Sequence, residues 1–177
     1  MRPALLIACA GLAALAVPVS AQQAAAEHAC PAGASVELPA DLAGWNAPQP
    51  LTAAKDAAGL DAAQLALGQA ADATLIRTAE VEYPVRPERP GGSVSFGGLF
   101  RFDVAEAGTY RVAIGSAAWI DVLSPANERV QSGKFGHGPE CSGIRKMVEF
   151  ALTPGTHTLL IAANGQAQMA VLIDRLP

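Results

Sequence analysis

LFRFDVAEAGTYRVAIG, residues 99–115, alternates with period two on both sides of a short turn. Phe100, Phe102 and Val104 point one way while Arg101 and Asp103 point the other. After the turn at AEAG, Tyr110, Val112 and Ile114 alternate with Thr109 and Arg111. Period two is the repeat of a strand with one buried face, so the stretch predicts a hairpin with a polar outer side.

The same grammar continues on both sides. Downstream, AWIDVL reads as a strand closed by the turn SPANE, and Val148, Phe150 and Leu152 alternate with Glu149 before Pro154-Gly155 turns the chain. HTLLIAAN and QMAVLIDRL then form a second expected strand pair around Asn164-Gly165, a dipeptide suited to a tight primed turn. Upstream, RPERPGG breaks any regular element. The segment AKDAAGLDAAQLALGQAADATLIRT, residues 54–78, is read two ways: alanine favours helix, whereas Gly59 and Gly68 interrupt it. Leu65 to Gly68 and Thr74 to Ile76 are expected as short strands flanking a turn, and 53–71 as a whole stays open between helix and strand. About eight short strands at spacings of roughly ten residues make the chain all-β, an antiparallel sandwich or barrel.

The opening residues define an expected compartment. Arg2, the apolar run Ala4 to Val17 and Val19-Ser20-Ala21 have the form of a cleaved secretory signal over 1–21, which implies a periplasmic or secreted protein. The run falls short of the roughly 20 apolar residues a bilayer span needs, so no transmembrane segment is expected. Removal of Cys9 with the signal leaves Cys30 and Cys141, an even pair in an oxidising compartment, and a Cys30–Cys141 disulfide is expected. Residues 22–51 read as a low-complexity lead-in and a Pro/Ala-rich extended arm anchored by Leu38, Leu42 and Trp45, and 52–177 as one β-sandwich domain. The net charge is −4, and six acids against Lys55 alone lie between Gln22 and Ile76. No basic field exists for nucleic acid.

Chemistry-bearing residues concentrate in SGKFGHGPECSGIRKM, residues 132–147, which admits an active site, a ligand loop or a stapled crossing between two sheets. Lys134, His137, Arg145 and Lys146 have the composition of an anion site, although Glu140 and Glu149 weaken its field. Trp119 is suited to stack on a sugar or aromatic ring with Asp121 accepting hydroxyl hydrogen bonds, and equally suited to the core. Gly138 and Gly143 are spaced as in a phosphate-binding loop, but Ile144-Arg145 stands where Lys-Ser/Thr is required. Ser142, His137 and Asp121 lack a nucleophile elbow.

GLFRFDVAEAGTYRVAIG and LTPGTHTLLIAANG resemble strand phrases of the jelly-roll-like modules of secreted bacterial proteins, including the pre-peptidase C-terminal type. That resemblance covers the C-terminal half and implies a jelly-roll-like sandwich. RPGGSVSFGGL, AWIDV and HGPECSGIRKMV are further similar to small exported alphaproteobacterial proteins that carry the label homogentisate 1,2-dioxygenase. Such an activity implies Fe(II) held by two histidines and a carboxylate, for which His137, Glu140 and His157 are the set in this chain. The spacing of His137 and Glu140 departs from H-x-D/E, and Phe135 stands where a cupin pair would place a histidine. The expectation is therefore an exported, noncatalytic binding or envelope-associated module without a cofactor, its partner a small molecule or an envelope component. Glu140 belongs to its loop, and a ring-cleaving dioxygenase is the alternative.

Overall fold

The structure is a computed structural model that describes Cys30 and residues 36–177. The expected signal over 1–21 and the lead-in 22–29 lie outside the described residues. The chain divides into two units, Met1–Gly33 and Ala34–Pro177, and the fold belongs to the second.

Ten strands form two sheets: β1 Gln49–Thr52, β2 Ala71–Thr74, β3 Ile76–Arg77, β4 Phe96–Val104, β5 Gly108–Ile114, β6 Trp119–Leu123, β7 Ser132–Gly136, β8 Lys146–Leu152, β9 Gly155–Asn164 and β10 Gln168–Arg175. One sheet has the order β1-β2-β10-β5-β8-β7 and the other β3-β4-β9-β6. All pairings are antiparallel except β1 with β2. The described residues form an antiparallel β-sandwich of ten strands, where about eight are expected from sequence.

The alternation over 99–115 holds, but the hairpin does not. Phe100, Phe102, Val104, Tyr110, Val112 and Ile114 are all buried, as period two requires. Yet β4 lies in the four-stranded sheet against β9, and β5 in the six-stranded sheet between β10 and β8. The AEAG turn therefore carries the chain across the sandwich. The same applies at Asn164-Gly165, because β9 and β10 are in different sheets. Between β4 and β10 every connection changes sheet except the one from β7 to β8. A turn and two one-faced strands are compatible with either outcome, since both sheets bury their apolar face in the same layer.

That layer is built from both sheets. Phe100, Phe102, Leu159 and Ile161 of the four-stranded sheet meet Tyr110, Val112, Phe150 and Val171 of the six-stranded one in a single cluster. Fully burying side chains of this size stabilises by about 1.5–3 kcal/mol each before conformational entropy is counted.

The alanine-rich segment is neither of the regular elements expected. Ala57–Ala62 is a 3-10 helix, capped where Asp56 Oδ1 accepts from Gly59 N at 3.0 Å. Leu65 to Gly68 is not a strand, although Leu65 N donates to Arg101 O at 2.8 Å and Arg101 N to Ala63 O at 3.0 Å. Ala54 and Leu99 exchange both backbone bonds at 2.9 Å. Small side chains let this irregular segment lie along β4 and satisfy groups that β4 would otherwise leave open.

A second, smaller cluster covers the outer face of the six-stranded sheet. Leu42 and Trp45 lie three apart on the 3-10 helix Ala40–Asn46, so they share one side of a three-residue turn, and they pack on Ala113, Ile144 and Leu172. This part of the expected extended arm is thus helical. Arg111 of β5 ties it down, with Nη1 2.5 Å from Asp41 and Nη2 3.1 Å from Glu149.

Candidate functional site: a cavity at the sheet edges

The connection from β6 to β7 crosses from the edge of one sheet to the edge of the other. It first follows β6, where Val130 N donates to Val122 O at 2.8 Å, and then enters β7 beside β8. Beneath it lies a cavity of about 630 Å³ lined by Arg89, Trp119, Asp121, Arg129, Phe135 and Lys146, among others. That volume lies in the range of small-molecule sites.

Each polar group is placed by a strand or by a pinned connection. Trp119 and Asp121 are two apart on β6 and share a face, and Trp119 Nε1 donates to Asp121 Oδ2 at 3.0 Å. Asp121 Oδ1 lies 3.2 Å from Arg129 Nε, and Asp121 is buried. Arg129 also reaches Glu88 at 3.9 Å and donates to Arg86 O at 2.7 Å. Lys146 is in phase with Val148 and Phe150 along β8, so it stands where the inner layer of the sandwich opens to solvent. Its Nζ donates to Ala118 O at 3.1 Å and sits 5.4 Å from the Trp119 ring centre. The Arg89 guanidinium lies at the same 5.4 Å from that ring. Burial holds the Lys146 ammonium below its ordinary pKa; Asp121 opposes this shift and Arg89 adds to it.

Of the residues singled out in the sequence, Trp119, Asp121 and Lys146 come together here. Lys134, His137, Glu140 and Arg145 do not line this cavity. Lys134 lies on β7, and the other three lie in the connection from β7 to β8, two neighbouring strands of one sheet. Residues 132–147 are thus no crossing between sheets; the crossing precedes them. In that connection His137 Nδ1 is 2.8 Å from both Arg145 O and Arg145 Nη1, and it serves one at a time: protonated it donates to the carbonyl, unprotonated it accepts from the guanidinium. Trp45 Nε1 donates to Ser142 O at 2.9 Å, holding the connection against the N-terminal 3-10 helix. Cys30 and Cys141 are both disulfide-bonded, and Cys141 has a left-handed backbone with φ of 60°.

His157 lies in β9, buried, stacked on Phe102 with ring centres 5.6 Å apart, its Nδ1 donating to Gly155 O at 3.1 Å. It is a core aromatic. Among the described residues no three His, Cys, Asp or Glu side chains are grouped to hold a metal ion, so His137, Glu140 and His157 are not assembled as a set.

Sequence reasoning missed Arg89 and Arg129. Arg89 falls in RPERPGG and Arg129 just after SPANE, both read only as turns. The signal available was charge next to strand ends, which is common on any surface.

No protein-family profile matches the chain. No curated protein matches it. Among solved structures, the pre-peptidase C-terminal domain of a collagenase from Bacillus anthracis is similar, at 11% identity and a TM-score of 0.37, over 71% of this chain and 95% of that one.

Proposed function

We propose that this protein is an exported, noncatalytic binding module that acts in the cell envelope or outside it, with the cavity between β6, β7 and β8 as its ligand site. The observation that carries the reading is the convergence of Trp119, Asp121 and Lys146 on one open cavity. A lysine on the inward face of a sandwich strand adds nothing to an apolar core and costs desolvation. A concave surface with an aromatic wall and a few placed charges is the usual form of a small-molecule site. The polar groups hold one another through an indole, a carboxylate and a guanidinium, an arrangement suited to orienting a ligand; no nucleophile in it is paired with a base. The signal-like sequence of residues 1–21 supports an envelope or extracellular setting.

The test is a fragment screen against the protein by NMR, read at the Trp119 indole N–H. Ligands that shift this resonance, and lose affinity on Trp119→Ala, support the site. A screen whose hits all leave Trp119 unmoved places binding elsewhere and overturns this assignment.

A further inference from the structure

The charges around the cavity are unequally matched. Three cations, Arg89, Arg129 and Lys146, face two carboxylates, Glu88 and Asp121. Both carboxylates converge on Arg129, at 3.9 and 3.2 Å, and Asp121 also accepts the Trp119 N–H. Among the described residues neither Arg89 nor Lys146 has a carboxylate within 4 Å. Both are drawn to the same indole at 5.4 Å, so their charges are no more than twice that distance apart. Lys146 gives one of its three N–H groups to Ala118 O, and two remain. Arg89 keeps its whole fork.

The walls beside these cations are apolar. Ile120, Val130, Val148 and Phe150 line the cavity from both sheets, and Phe135 stands at its side, 84% exposed. Such a wall is matched by a ligand with an apolar body, and two unneutralised donors at the indole are matched by a single anionic head.

We infer that the cavity binds an apolar monocarboxylate, its head between Arg89 and Lys146 over Trp119 and its body along Val148 and Phe150. The inference rests on the binding-module reading and narrows it. A neutral ligand would leave both cations without a counter-charge. A carboxylate accepts from both and supplies the counter-charge that neither cation has among the described residues. Asp121 acts on the opposite side of this balance: occupied by Trp119 and Arg129, it selects against a second negative charge on the ligand.

The experiment titrates the protein with octanoate and with octanamide, which differ only in the head group, by calorimetry and by the Trp119 indole N–H resonance. Octanoate is expected to bind at least about tenfold more tightly than octanamide, and Arg89→Ala to remove about tenfold of that affinity, the loss of one charge-assisted hydrogen bond. Lys146→Met should reduce the preference for the anion further. Arg89 is exposed, so its truncation keeps the test valid if Lys146→Met does not fold. Equal affinity for the two compounds overturns the inference and leaves the binding-module reading standing. Octanoate binding that leaves Trp119 unmoved also overturns it. If neither compound shifts Trp119 while a neutral sugar does, the carboxylate inference alone fails. If no probe shifts Trp119, both fail.

Discussion

Trp119 and Asp121 form a hydrogen-bonded pair along one strand, the indole Nε1 donating to Oδ2 at 3.0 Å across a two-residue step. β6 is an edge strand with no neighbour on its free side, and both residues of the pair line the cavity that opens there. The buried carboxylate also anchors Arg129 and, through it, the connection to β7. Asp121→Ala therefore leaves an indole N–H and a guanidinium without their shared partner. A loss of about 1–3 kcal/mol is expected, the cost of stranding hydrogen-bonding groups, measured by urea denaturation. A loss under about 0.5 kcal/mol would mean that water replaces the carboxylate fully.

The Lys146 amine reports the field of the cavity. Burial and Arg89 lower its pKa and Asp121 opposes them. Arg89→Ala should move the titration upward and Asp121→Asn should move it further down, followed by NMR of the lysine side chain. The sign for stability follows from a folded value below the unfolded one. Lys146 disfavours the fold while both states are protonated, and this burden is relieved as pH rises from the folded pKa toward the ordinary value. Lys146→Met should remove that part of the pH dependence.

Tyr83 gives an alkaline limit. Burial, only partly offset by hydrogen bonds, raises its pKa from 10.0 to about 12, and its hydroxyl donates to Ile161 O at 2.8 Å. A raised phenol pKa means the folded state favours the protonated form. Its contribution is complete below about pH 10 and is lost as pH rises through about 12. Discounted for partial exposure, that contribution is about 1–2 kcal/mol. Tyr83→Phe should lose the hydrogen bond at neutral pH and flatten the alkaline decline, read by denaturation at a series of pH values.

Gly97 lies beneath that hydroxyl. A Cβ there would come within 2.2 Å of Tyr83 Oη and 2.4 Å of Ile161 O. The phenol can move, but the carbonyl belongs to the β4–β9 ladder and cannot without breaking it. Gly97→Ala is expected to destabilise by about 2–4 kcal/mol through overpacking and loss of the Tyr83 bond. A melting temperature unchanged from the parent protein would contradict this geometry.

The two bonded cysteines are expected to pair with each other. Mass measurement of unreduced, alkylated protein should find Cys30 and Cys141 both protected and joined in one cross-linked peptide. A bridge closing a loop on the order of 100 residues contributes at most about 4–5 kcal/mol on the chain-entropy account, so Cys141→Ala should cost about 2–5 kcal/mol. Two alkylated thiols before reduction would exclude the pairing. His137→Ala, in the same connection but exposed, should change stability by less than about 1 kcal/mol.

Apart from β7, the strands from Phe96 onward were legible in the amino-acid sequence because each carries a local, periodic apolar face; Ser132–Gly136 is almost wholly exposed and carries no such signal. Phe100, Phe102, Tyr110 and Val112 needed nothing beyond their neighbours to be assigned to the core. The alanine-rich segment from Ala53 to Ala71 was not legible, because alanine supports helix intrinsically while its backbone bonds go to Leu99 and Arg101, some 40 residues away in the chain. Propensity yields where β4 offers partners.

What only the tertiary structure decided is which strand lies beside which. Period two specifies that Val104 and Tyr110 face inward, and it is silent on whether the turn between them joins partners in one sheet or opposite walls of the sandwich. Here it joins opposite walls, as does the connection at Asn164-Gly165. The candidate site follows from that choice. Arg89, Trp119, Arg129 and Lys146 are spread over more than 50 residues and carry no shared motif. They meet because β6 and β7, both edge strands, end up on opposite sheets with one crossing connection between them. Alternation is a property of neighbouring residues and is readable from them, whereas pairing is settled by burial summed over the whole layer, which no single stretch contains.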